Sequence, residues 1–452
     1  MMALLVVISV LGLPAVLLRL LCVGHSCDEE TAAASEVPFC SLDSELRSRI
    51  TAGFREGRSP EVLAVARRAA IAGGTGYGGT TLPLWPSSNF DAARVPLVFA
   101  GEGVVRTPIP EGTNLTSIAP TLAAIIDFER PFPEVRSGKA IEGVVGDSSP
   151  RLLLQVILKG VGSDDLEAQP EAWPFLRGLM DEGAATMDAE TGSLPLDPAA
   201  AISTIGTGGT PSQHGITGEF VRTGEGRLVR SFSNEAETPV IATLADDLNE
   251  LLEQRPLIGL VGATATDRGA VGGEWYGSSS DDDEFVIARR DQVGPAVELL
   301  SGGAERERAG RVGGNGEFGA DPVPDLMSVV MDGDIRRLDR GLERIVTAAD
   351  EAANGSVAVV VTGTGSMASS QDADGTAIVR GTEIAHDLDE AVGERVTEAA
   401  VPGGLFLDQS ALTELELSED VVIKELERLR GPEGYLFEDV WPAIAVTFAR
   451  YC

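Results

Sequence analysis

Apolar residues in this chain fall into two alternating kinds of run. Short unbroken stretches read as strands buried on both faces: VPLVFAG (95–101), RLLLQVILKG (151–160), LIGLVGA (257–263), LMSVVM (326–331) and SVAVVVTGTG (356–365). Between them, residues 116–128, 173–184, 198–208, 238–256 and 334–355 carry helical spacing or helix-boundary signals. Residues 43–72 also read as helical, with a break at Ser59–Pro60. Segment 403–429 is a mixed α and β tail. Strands alternating with helices predict an α/β fold, a three-layer sandwich around a mostly parallel central sheet.

The glycine-rich stretches do not carry nucleotide chemistry. GTGYGG (74–79) fits the dinucleotide spacing, but the residues after it form a loop and not the required helix. TGTGSM (362–367) follows a strand yet lacks the lysine of a phosphate loop. Asp332 with Gly333 and Asp334, and the acidic loop 277–285, lack the alternating ligands of a calcium loop and read as solvated turns.

One stretch is more specific. PFLRGLMDEGA (174–184) precedes PLDPAAAISTIGTGGTPSQHGITG (195–218), in which Thr207, Gly208, Pro211, His214 and Gly215 stand at fixed spacing. This resembles the alkaline phosphatase superfamily, in its type I phosphodiesterase/nucleotide pyrophosphatase branch. Residues 93–141, with ARVPLVFAGEGV and TNLTSIAPTLAAIIDF, resemble the C-terminal end of that family, yet they come first here. The resemblance therefore implies a circular permutation or an upstream fusion, and permutation is preferred. It divides the chain into an apolar segment 1–30, a C-terminal-like piece 31–146 and an N-terminal and central piece 147–452, the last two packing as one domain.

The resemblance implies a nucleophilic Thr or Ser between two divalent metals, with zinc as the expected ion, held by Asp and His. The matching positions have changed. Lys159 stands where the first strand should end in a ligating Asp. Asp197 and Pro198 occupy the nucleophile slot, Pro198 falling on the nucleophile itself, and Thr364 lies within the segment that should carry an Asp–His pair. Asp332 is the sole relic of a further ligand segment. No catalytic residue and no metal ligand is assigned. The vestigial site is Lys159, Asp197, Asp332 and Thr364, with Lys159 balancing nearby acids such as Asp197 or holding a small anion. Among the three histidines, His214 reads as structural, His386 as a lone helical residue, and His25 lies in the apolar start.

The expected function is a catalytically degenerate superfamily member with a binding or structural role. One alternative is an active, divergent metal-dependent phosphoric-ester hydrolase using Thr191, Ser193 or Ser203. Another is a surface-anchored acidic interaction module. The partner is unknown, with a small anion or phosphate-like ligand left open. A net charge of −35 argues against nucleic acid. Residues 1–21 read either as a signal or membrane anchor, which would place the protein at the cell surface or outside the cytoplasm, or as a buried element of a cytoplasmic protein. The four cysteines allow a disulfide without implying one.

Overall fold

The computed structural model describes residues 38–67, 71–77, 81–88, 90–233, 239–272, 284–302, 317–369, 378–431, 434–449 and 452. The apolar start with His25, and nearly all of the acidic loop 277–285, lie outside them.

A seven-stranded sheet forms the centre. Across it the order is Glu284–Ile287, Ile258–Gly262, Asp325–Met331, Leu152–Leu158, Val357–Gly363, Arg94–Gly101 and Ala184–Glu190. The first five run parallel, while Arg94–Gly101 pairs antiparallel with both of its neighbours. The sheet is mostly parallel, as the buried runs predict. Strand Ala184–Glu190 falls in a stretch that reads as loop, because its half-buried residues carry no apolar run.

Leu152–Leu158 lies at the middle and is buried throughout. Leu153 and Ile157 face one core with helices Ile118–Ile125, Pro198–Thr207 and Leu244–Leu251. Leu152, Leu154, Val156 and Leu158 face the other, with helices Pro174–Glu182, Val293–Leu300 and Ile335–Ala352. Period-two alternation thus fills two cores from one strand and fixes the three layers. The Asp339 carboxylate ties two helices on one face by accepting from the backbone N–H groups of Phe175 and Leu176 at 3.1 and 2.8 Å.

The helical reading of residues 43–72 holds only for Ser44–Gly53. Val62–Ala66 is instead a fully buried strand, paired antiparallel with Gly404–Leu407 and Phe437–Pro442. Thr397–Val401 completes this second, four-stranded sheet. The helix predicted over 238–256 is confined to Leu244–Leu251, which Thr243 caps through its hydroxyl. Cys40 and Cys452 form a disulfide that joins the two ends of the described chain. No helix among the described residues is long and apolar enough to cross a membrane.

Candidate functional site at the tips of the parallel strands

In an open parallel sheet, ligand chemistry gathers beyond the carboxyl ends of the strands. Lys159 follows strand Leu152–Leu158, Asp332 follows Asp325–Met331, and Thr364 follows Val357–Gly363. The Lys159 backbone N–H donates to Met331 O at 2.8 Å, and the next N–H, of Gly160, donates to Thr364 Oγ1 at 2.8 Å. These three predicted positions therefore converge at one edge. Asp332 is exposed, whereas Thr364 is buried.

The partner of Lys159 is Asp267, not Asp197. Its ammonium donates to Asp267 Oδ1 at 2.7 Å and to Thr264 Oγ1 at 3.0 Å. Asp267 sits in the 3₁₀ turn Ala265–Ala270, directly after strand Ile258–Gly262. Its other oxygen accepts from the N–H groups of Ala263 and Thr264 at 2.7 and 2.9 Å. The carboxylate is thus fully engaged.

Asp197 has a different task. It is the N-cap of helix Pro198–Thr207, and Oδ1 accepts from the Ala199 N–H at 2.8 Å. Pro198 takes the first helical position, where its missing N–H removes no helical bond. Asp197 Oδ2 accepts from the Glu219 N–H at 3.1 Å and from the Tyr77 hydroxyl. Burial pushes the Asp197 carboxyl up, opposed by the Tyr77 bond and the backbone N–H groups. Burial, reinforced by the Asp197 charge, also pushes the Tyr77 phenol well above its usual range.

Glu219 links the two halves. Its carboxyl pairs with Arg230 and accepts from Thr266, a neighbour of Asp267 in the same turn. Burial, then the Asp197 charge, pushes it up to about 7, against the pull of Arg230 and Lys159. Tyr77, Glu219 and Asp267 had no sequence signal of chemistry. The nearest clues are the Thr264-x-x-Asp267 capping pattern after a strand and the position of Glu219 just past the 195–218 motif.

The motif residues are scaffold. Thr207 Oγ1 donates to Ser203 O at 2.6 Å, and Gly208 ends the helix at φ 77°, the left-handed turn that favours glycine. Pro211 opens the short helix Pro211–His214, and Gly215 closes it at φ 81°. His214 has no exposed surface; Nδ1 accepts from the Ile216 N–H at 3.1 Å. Thr204 Oγ1 already donates to Ala200 O, so His214 Nε2, 3.1 Å away, is its donor and the ring is neutral. Burial, with Arg55 and Arg58 nearby, pushes its pKa down to about 3.

The other candidates stay apart from this chemistry. Ser203 Oγ donates to Ala199 O within its own helix, and Thr191 Oγ1 to Ser193 O. Ser193 is buried, and His386 is exposed on helix Gly381–Val392. Beside Asp197 lies an apolar cavity of about 20 Å³, lined in part by Phe54, Leu63, Leu194 and Phe220. It has room for about one water, and the Thr217 hydroxyl lining it has no hydrogen-bond partner among the described residues.

A two-metal site needs several free carboxylate and imidazole donors around each ion. Here the central strand ends in an ammonium, Asp267 and Asp197 are hydrogen-bonded through both oxygens, and both His214 nitrogens are engaged inside the protein. Among the described residues, no group of three or more His, Cys, Asp or Glu is placed to hold a metal. Among the described residues, the donors at this edge do not fit two divalent metals.

Residues 153–291 match the family model for type I phosphodiesterase/nucleotide pyrophosphatase. The chain is 33% identical over 118 residues to a calcium-transporting ATPase of Myroides odoratus, and 25% identical over 114 residues to alkaline phosphatase PafA of Elizabethkingia meningoseptica. These matches cover 26% and 25% of this chain, and it spans 20% of the length of each relative. The crystal structure of wild-type alkaline phosphatase PafA aligns with a TM-score of 0.45 at 15% identity, over 62% of this chain and 76% of that one. Along residues 153–291, within its mostly parallel three-layer sheet, the chain is similar to the type I phosphodiesterase/nucleotide pyrophosphatase family and, over part of its length, to an alkaline phosphatase.

Proposed function

We propose that this protein is a catalytically silent superfamily member, kept as a binding or structural scaffold. The observation that carries the reading is Asp197. Where the resemblance expects a nucleophile, the chain has a helix-capping carboxylate followed by a proline, which has no nucleophilic atom. That carboxylate also fills the helix N-terminus, the place where a phosphate-like anion would otherwise find N–H donors. A small anion would have to displace it.

Strand Arg94–Gly101 lies in the same sheet as Leu152–Leu158, which supports reading segments 31–146 and 147–452 as packing into one domain, by either permutation or fusion. The Cys40–Cys452 disulfide favours maturation in an oxidising compartment, in line with an extracytoplasmic location.

A second reading, an active divergent phosphoric-ester hydrolase, draws on Glu219, whose carboxyl burial pushes up to about 7, the range that suits a general base. The hydroxyls the sequence offers for it, Ser203, Thr191 and Ser193, are all buried. Turnover of p-nitrophenyl phosphate and bis-p-nitrophenyl phosphate, assayed with Zn²⁺, Mg²⁺ and Mn²⁺ in turn, separates the two. The silent reading expects rates equal to buffer with every metal. Metal-dependent turnover that disappears in Glu219→Gln would establish the second.

A further inference from the structure

The strand-tip edge gathers three carboxyl groups from three elements: Asp267 from the turn after Ile258–Gly262, Asp197 from the start of helix Pro198–Thr207, and Glu219 from the segment beyond Gly215. Their neighbours supply two cations, Lys159 and Arg230. Arg230 is half exposed and pairs with Glu219 at the rim. Lys159 is the inner one: its side chain is 16% exposed, and that of Asp267 is 0%.

We propose that the Lys159 ammonium is a built-in cation that does the charge-neutralising and element-joining work of a metal ion at this edge. It is carried by the central strand, so its position is set by the sheet and not by a flexible loop. Its three N–H donors suit an oxygen cage, and two of them are accounted for by Asp267 Oδ1 and Thr264 Oγ1. Through Thr264 it meets Thr266, 2.9 Å away, whose hydroxyl reaches Glu219. One ammonium thereby joins the central strand, the 3₁₀ turn and the segment that follows residues 195–218. Without it, Asp267 would remain as a buried carboxylate lacking its cation, the situation in which removal of one partner is most damaging. The inference deepens the silent-scaffold reading and rests on the same residues, but it concerns what holds the edge together and not whether turnover occurs.

Chemical rescue provides the test. Lys159→Ala removes three methylenes and the ammonium, a fragment that n-propylammonium replaces. Lys159→Met keeps most of the stem and leaves no room for the probe. The expected result is a melting temperature several degrees lower for both variants, restored by n-propylammonium in Lys159→Ala alone. Equal concentrations of sodium chloride or n-propanol should restore neither. If Lys159→Ala melts as the parent does, or propylammonium raises both variants equally, the proposal is overturned.

Should Lys159→Ala not fold, the unaltered protein gives an independent reading, because it has only three lysines. Lys139 and Lys424 are exposed, so reductive methylation with ¹³C-formaldehyde should label both quickly and Lys159 at least tenfold more slowly. Labelling of Lys159 at the rate of the other two overturns the proposal. Detection of hydrolytic turnover with intact rescue would instead remove the silent-scaffold reading and leave this one standing.

Discussion

Lys159 Nζ lies 2.7 Å from Asp267 Oδ1, an ion pair between the tip of the central strand and the turn beyond its second neighbour, with the Asp267 side chain wholly buried. Breaking such a pair from one side costs about 3–5 kcal/mol, because a buried charge is left behind. Lys159→Met and Asp267→Asn should each destabilise the fold by an amount in that range. The double variant should lose clearly less than the sum, by about 1–3 kcal/mol of coupling. Urea denaturation of the four proteins measures this cycle, and strict additivity would show that the two groups do not interact.

Two buried groups give opposing pH dependences. His214 has an ordinary pKa of 6.5 and a folded value of about 3, so the unfolded chain takes up the proton first. Its contribution is whole above pH 6.5 and is lost as the pH falls toward 3. Glu219 runs the other way: raised from 4.5 to about 7, it contributes stability that is full below pH 4.5 and lost as the pH rises through 7. Asp197, also raised, acts in the same direction as Glu219. Each group can contribute at most about 1.4 kcal/mol per pH unit, so between pH 4.5 and 6.5 the slopes of His214 and Glu219 oppose each other. Relative to the parent, Glu219→Gln should lose more stability on acidification across this window, and His214→Gln should lose less or gain. Urea midpoints at the two ends of the window check this, and three identical slopes would contradict it.

Much of the fold is legible in the sequence, because a strand buried on both faces needs an unbroken apolar run. Leu152–Leu158 and Val357–Gly363 are such runs, and 195–218 carries its glycines and prolines where the helix ends require them. Val62–Ala66 was not legible as a strand, since what makes it one is pairing with Leu405 and Trp441, more than 340 residues away. The partner of Lys159 was hidden for a similar reason. Asp267 is 108 residues distant, and nothing in its local pattern separates a turn-capping aspartate from the counter-charge of a lysine.

The Cys40–Cys452 disulfide closes a loop of 412 residues. Cys40 is on the short helix Pro38–Ser41, and its neighbour Phe39 packs against Trp441 of the small sheet. Cross-links over long loops stabilise by about 2–5 kcal/mol. Cys40→Ser should lower unfolding free energy by an amount in that range, with a matching loss when the parent is reduced. An unchanged denaturation midpoint after reduction would remove this role.

Arg130 and Arg136 both reach Asp247 Oδ2, at 2.8 and 3.2 Å, and both donate to Thr207 O at the end of the motif helix. Cations belong at a helix C-terminus, and here they come from the segment that resembles the family's C-terminal end. Asp247→Ala leaves two largely buried arginines short of a counter-charge and should cost about 3–5 kcal/mol. Asp247→Glu should recover part of that loss. Stability equal to the parent in Asp247→Ala would refute the role given to this carboxylate.

Zinc titration by calorimetry addresses the replacement of metal by lysine most directly. Protein first dialysed against a chelator should bind no Zn²⁺ at micromolar affinity. Stoichiometric binding that is abolished by Asp267→Asn would mean that the strand-tip acids hold a metal after all, and that Lys159 is not their cation.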